Sequence, residues 1–131
     1  MENQEKIATV RGNGMGVSFK HSMAICNFIK EKTIETSVRQ LGEVIKRKMA
    51  IPMKGEVPHR KGNILGGRYP IKTAKVFITL LKSLEANANN KGLDIKTIKL
   101  FAKADQASTP RRAGKYGGRH FKKTHIFISA K

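Results

Sequence analysis

The sequence predicts an α+β domain, with helices packed on one face of an antiparallel sheet and a long basic β-hairpin arm leaving it. Three observations carry this. Ile71, Ala74, Phe77, Ile78, Leu81, Leu84 and Ala88 recur at helical spacing, giving an apolar stripe over about five turns. Ile98, Leu100, Ala102 and Ala104 alternate with Lys99, Phe101, Lys103 and Asp105, and Ile126, Ile128 and Ala130 alternate with His125, Phe127 and Ser129, so two strands each have an apolar face. Between them, the segment from Ser108 to Thr124 reads STPRRAGKYGGRHFKKT, and no acidic residue follows Asp105. A tight hairpin closes with about 2 to 5 loop residues, so this connection is longer than closure requires and its charge needs a partner.

In chain order, residues 1–6 are polar, and Ile7 to Arg11 suit a short strand before the glycines at 12, 14 and 16. The GNGMG run lacks the Gly-Lys-Ser/Thr of a phosphate loop and the spacing of a dinucleotide fingerprint, which leaves a flexible strand or bulge connection. Ser18 is placed to cap a first helix to about Lys30, with Ala24, Ile25, Phe28 and Ile29 facing inward and Lys20, His21 and Lys30 outward. Thr33 caps a second helix, in which Ile34, Val38, Leu41 and Ile45 repeat up to about Lys48; Glu35 in its first turn and Lys46, Arg47 and Lys48 in its last suit the helix dipole. From Met49 to Tyr69, prolines and glycines break every pattern, so a long loop is expected, mobile or ordered by a partner. Pro70 fits the first turn of the third helix, where a missing N–H costs nothing, and Gly92 supplies its stop.

At 131 residues the chain has the size of one domain, and its 27 Lys plus Arg against 9 Asp plus Glu give a formal net charge of +18. Such self-repulsion calls for a polyanionic partner, nucleic acid before an anionic membrane surface. No apolar run approaches the ~20 residues of a membrane span, and MENQEKIATV lacks the apolar core of a signal peptide, so a cytoplasmic location is expected. The lone Cys26 excludes an internal disulfide and reads as a small buried hydrophobe rather than a reactive thiol.

Enzyme chemistry finds no support. His21, His59, His120 and His125 have no compact metal-ligand spacing, the carboxylates are scattered, and no serine sits in a nucleophile elbow. Neither a metal nor a cofactor is expected. The residues that suit RNA are Lys20 and His21 on the first helix; Lys54, His59, Arg60, Lys61, Arg68 and Tyr69 in the 49–69 connection; and Lys72 at the start of the third helix. In the arm they are Arg111, Arg112, Lys115, Tyr116, Arg119, His120, Lys122 and Lys123, with Tyr116 and Phe121 as rings able to stack on unpaired bases; the bland alternative is that Phe121 packs at the arm's root. A DNA-architectural protein with a basic β-arm is the rival reading, against which stand a single arm and no dimer-forming helix pair.

The runs GVSFKHSMAICNFIK, KTIETSV, GGRYPIKTAKVFITLLKSLEANANNKG and PRRAGK resemble the large-subunit ribosomal protein family numbered twenty-two in the bacterial scheme. The likeness covers nearly the whole chain from about Val10, and its most specific part runs from Gly67, Arg68, Tyr69 and Pro70 to Lys91 and Gly92. The connection from Met49 to Gly67 looks like a short form of the insertion in the archaeal and eukaryotic branch. The resemblance implies three helices on a three-stranded antiparallel sheet, with an arm from about residue 95 to 131. It implies a structural role in the large ribosomal subunit, with 23S-type ribosomal RNA, neighbouring ribosomal proteins and the nascent polypeptide as partners. It places Pro110, Arg111, Arg112, Ala113, Gly114 and Lys115 at the arm's tip, lining the peptide exit tunnel. Lys115 stands where the family has a second tip arginine, which keeps the charge but loses the planar fork.

Overall fold

A computed structural model describes residues 6–60 and 66–131, apart from the side chain of Tyr116. Strand β1 (Ala8–Met15) is followed by helices α1 (Phe19–Ile29) and α2 (Ile34–Ile45), two short strands β2 (Ile51–Pro52) and β3 (Gly67–Arg68), helix α3 (Ile71–Asn90), and strands β4 (Leu100–Gln106) and β5 (Thr124–Ala130). The main sheet is antiparallel in the order β1-β5-β4, and β2 pairs with β3 in a second ladder. This is the expected α+β class, with three helices and a three-stranded antiparallel sheet.

The first strand runs four residues beyond the expected one, through the glycine-rich run. Gly12 pairs with Ile126 and Met15 with Thr124, so β1 takes three steps where β5 takes two, a bulge of one residue. Gly14 sits there at φ +61, and a Cβ on Gly12 would lie 3.0 Å from Met15 Cγ and 3.3 Å from Leu80 Cδ1. The glycines thus bend a strand under α3 and let it approach closely.

Both expected caps form. The Ser18 hydroxyl accepts from the His21 N–H at 3.5 Å, and the Thr33 hydroxyl from the Thr36 N–H at 3.3 Å. Helix α1 buries Ser22, Ile25, Cys26 and Ile29, whereas Ala24 and Phe28, expected inside, are only half-buried. Helix α2 ends at Ile45 rather than near Lys48, because Arg47 turns to φ 58. Its buried positions are Ile34, Ser37, Leu41 and Val44, so Val38 and Ile45 flank the inner face rather than centre it. In α3 the buried set is Thr73, Ala74, Phe77, Leu80, Leu81, Leu84 and Ala88; Ile71 and Ile78 are half-buried, and Leu80, beside Gly12 of β1, is buried. Pro70 occupies the cap itself, one position before the first turn. Gly92 takes φ 71, and the bonds Leu93 N–H to Ala88 O (3.0 Å) and Gly92 N–H to Asn89 O (3.1 Å) close the helix in a Schellman motif.

The core lies between the helices and the sheet: α3 packs on β1 and β5 and α1 on β4, and Phe77, Leu81, Leu84, Ile25, Leu100, Ile126 and Ile128 are all fully buried in one cluster. Each contributes about 1.5 to 3 kcal/mol if its burial is complete on folding. Cys26 is buried and its thiol is pushed up to about 12, in keeping with a packing role. The outer edge of β4 is covered by the turn between α1 and α2: Glu31 N–H donates to Leu100 O at 2.9 Å and Leu100 N–H to Lys32 O at 3.0 Å. The connection from Met49 to Tyr69 is not structureless. Besides the β2–β3 pairing, His59 bridges to Gly66, so the chain itself orders the ends of that insertion.

Candidate nucleic-acid interface

The arm is the continuation of the β4–β5 hairpin. Beyond Gln106, Ala107 N–H donates to Lys123 O at 3.2 Å, Phe121 N–H to Pro110 O at 2.9 Å, and Arg112 N–H to Arg119 O at 2.9 Å, with Arg111 bridged to His120. A short 3-10 turn (Gly114–Tyr116) caps it, closed by Gly117 N–H to Gly114 O at 3.0 Å, with Gly114 at φ 63. The end of the arm is therefore residues 113–118; Pro110 and Arg111, expected at the tip, are paired in its limb. His120 Nδ1 donates to Thr109 O at 3.1 Å, which orients that ring along the limb. Phe121 stays 46% exposed, with the Arg112 guanidinium 4.8 Å from its ring centre.

At the root of the arm the chain forms an open cleft of about 360 Å³. His21 from α1, Lys72 from α3, and Arg112, Phe121, Lys122 and Lys123 from the arm line it, and none of its lining residues is acidic. His21 titrates below its ordinary 6.5, first because it is partly buried and then because Lys122, Arg68 and Lys20 repel a proton on its ring. The fold thus gathers cations from positions 20, 68, 72, 112, 122 and 123 around one imidazole. Buried Thr124, whose hydroxyl donates to Val17 O at 2.9 Å, ties the start of β5 to the lead into α1 and so holds the two sides of this cleft together.

The other expected residues divide. Lys54 lines a groove shared with Lys20 on the outer face of α1. Arg60 is held internally: its Nε donates to Gly67 O at 3.0 Å, and its guanidinium stacks 4.7 Å from the centre of the Tyr69 ring. Both residues therefore brace β3. His59 contributes a backbone bridge, and Arg111, Lys115, Arg119 and His120 are exposed along the arm. Lys61 and the ring of Tyr116 lie outside the described residues. The sequence reading missed Phe19, Met23 and Asn27 beside Lys20; the available signal was an apolar Met23 out of phase with the buried positions of α1. It also missed His125, whose Nδ1 accepts from the Gly14 N–H at 2.9 Å and pins the bulge of β1. Among the described residues no three His, Cys, Asp or Glu side chains gather as metal ligands, and no helix is long and apolar enough to cross a membrane.

The sequence pattern of the family described as Ribosomal protein L22p/L17e matches residues 10–130. Similar proteins named large ribosomal subunit protein uL22 include those of Archaeoglobus fulgidus, 42% identical over 74% of this chain and 66% of its own length, and Methanosphaera stadtmanae, 35% identical over 95% and 88%. That of Ignicoccus hospitalis is 30% identical over 97% of this chain and 89% of its own. The chain belongs to this ribosomal protein family, whose members are structural components of the large ribosomal subunit rather than enzymes.

Proposed function

We propose that the chain binds large-subunit ribosomal RNA through the cleft and the arm, and that the far end of the arm lines the nascent-peptide exit tunnel. The observation that carries the first half is the cleft itself. Cations from two helices, the β3 end and both limbs of the arm converge there with no carboxylate in the lining. Converging Lys and Arg side chains are suited to neutralising closely spaced phosphates where RNA strands meet. The arm extends this charge away from the core, so folded RNA can close around it while β1, β5 and β4 stay packed under the helices.

The chain acts as one RNA-binding unit, in which the hairpin of residues 95–131 contributes two strands to the sheet and carries the arm beyond Gln106. Lys20, His21, Arg68, Lys72, Lys122 and Lys123 bind at the root; Arg111, Arg112, Lys115, Arg119 and His120 bind along the limbs; Phe121 offers a ring for stacking. Lys54 and His59 extend the surface, Lys61 and Tyr116 bind as the sequence reading expects, and Arg60 and Tyr69 contribute from their braced pair. Neighbouring ribosomal proteins and the emerging peptide complete the partners. Replacing Arg111, Arg112 and Lys115 together with Ala should weaken RNA binding yet leave the melting temperature of the free protein within a few degrees, because none touches the apolar core; a large loss of thermal stability would show that the arm serves the fold instead. For the tunnel, a stalled nascent chain carrying a photo-crosslinker should label residues 113–118. Labelling confined to other tunnel proteins would remove the arm from the wall.

A further inference from the structure

An apolar groove of about 540 Å³ runs between the outer face of α1 and β2. Phe19 and Met23 form one wall and Pro52 and Met53 the other, with Asn27 and the two lysines Lys20 and Lys54 also among its lining residues. Met23 is 45% exposed there, on the flank of the helix beside its buried positions. No lining residue is acidic. Lys20, which lines this groove, is also one of the cations whose field lowers the pKa of His21, so the groove lies on the same basic side of α1 as the cleft.

These features match the parts of a nucleotide. An unpaired base needs flat apolar walls, a polar group at its edge and cations for the phosphates on either side. The groove has the walls, the Asn27 amide offers both a donor and acceptors, and Lys20 and Lys54 supply the cations. A paired duplex cannot insert a base, and an apolar peptide side chain would make no use of Asn27. Resting on the RNA-binding reading, we infer that this groove receives a single extruded, unpaired base of the large-subunit RNA, with Lys20 and Lys54 on its adjoining phosphates.

The test uses large subunits carrying the full chain with the photo-crosslinking residue p-benzoylphenylalanine in place of Met23, and in a second preparation in place of Arg111. Irradiation should join position 23 to one or two unpaired RNA nucleotides. A crosslink from position 111 to RNA, with position 23 joined only to paired nucleotides, to a protein or to nothing, overturns the groove assignment and leaves the RNA reading intact. No RNA crosslink from either position overturns both. Affinity of the free chain for its large-subunit RNA gives the second readout. Met23→Arg adds a positive charge but fills the groove and should weaken binding about 10-fold, the size of one lost base stack; Asn27→Ala removes the edge contact and should weaken it about 3-fold, the size of one hydrogen bond. Tighter binding by Met23→Arg would mark the groove as a purely electrostatic surface and overturn the inference. Competition for position 23 by an acidic peptide with a central leucine, at micromolar concentration and without RNA release from the arm, would assign it to a protein partner instead.

Discussion

His21 is the residue at which the electrostatics of the cleft can be read directly. In the free protein its partial burial and the fields of Lys122, Arg68 and Lys20 hold its pKa below the ordinary value. A depressed histidine pKa contributes stability that is present above pH 6.5 and is lost as pH falls through the folded value, since protonation adds one more charge to a crowd of cations. On the proposed reading, RNA phosphates seated in the cleft would reverse the sign of that field. The His21 ring should therefore titrate below 6.5 by NMR in the free chain and shift upward when large-subunit RNA is bound. A free-state midpoint at or above 6.5, or no shift on binding, would remove His21 from the interface.

At the scale of elements, the arm is separable from the layer that supports it. Its limbs are joined by backbone bonds between 107 and 123, while the buried contacts of the hairpin begin at Thr124 and end with Ala104, which is packed against the core from its edge. Replacing residues 107–123 with an Asn-Gly turn should leave a folded domain with a cooperative melt, because that turn type suits adjacent antiparallel strands. Loss of cooperative folding would mean that the arm nucleates the sheet. The elements themselves were legible in the sequence where periodicity is strong: the stripe from Ala74 to Ala88 and the alternation on either side of the arm were found with nearly their true limits. What eluded the sequence depends on partners distant along the chain. The pairing of Ile51 with Arg68 spans an insertion with no pattern of its own, and the extension of β1 through Gly14 depends on β5 and His125 more than 100 residues away. The site was legible as charge and illegible as shape: Lys20, Lys72 and Lys122 were each identifiable as basic, but only the fold brings them around His21.

For the whole molecule, the balance of 27 basic and 9 acidic residues leaves at least 18 cations with no carboxylate to meet them. The described ion pair between Lys103 and Asp105, at 4.0 Å and largely exposed, does little to change that. The fold accepts this charge by keeping its core apolar and narrow and by sending the excess outward, into the cleft and along the arm. On the proposed RNA-binding reading, bound RNA supplies the compensation, and the release of its counterions makes binding depend steeply on salt. Titrating the affinity of the chain for large-subunit ribosomal RNA against salt tests this most directly. The affinity should fall roughly 10³- to 10⁵-fold between 50 and 200 mM salt if 6 to 10 phosphates are contacted. A flat titration over that range would contradict the account.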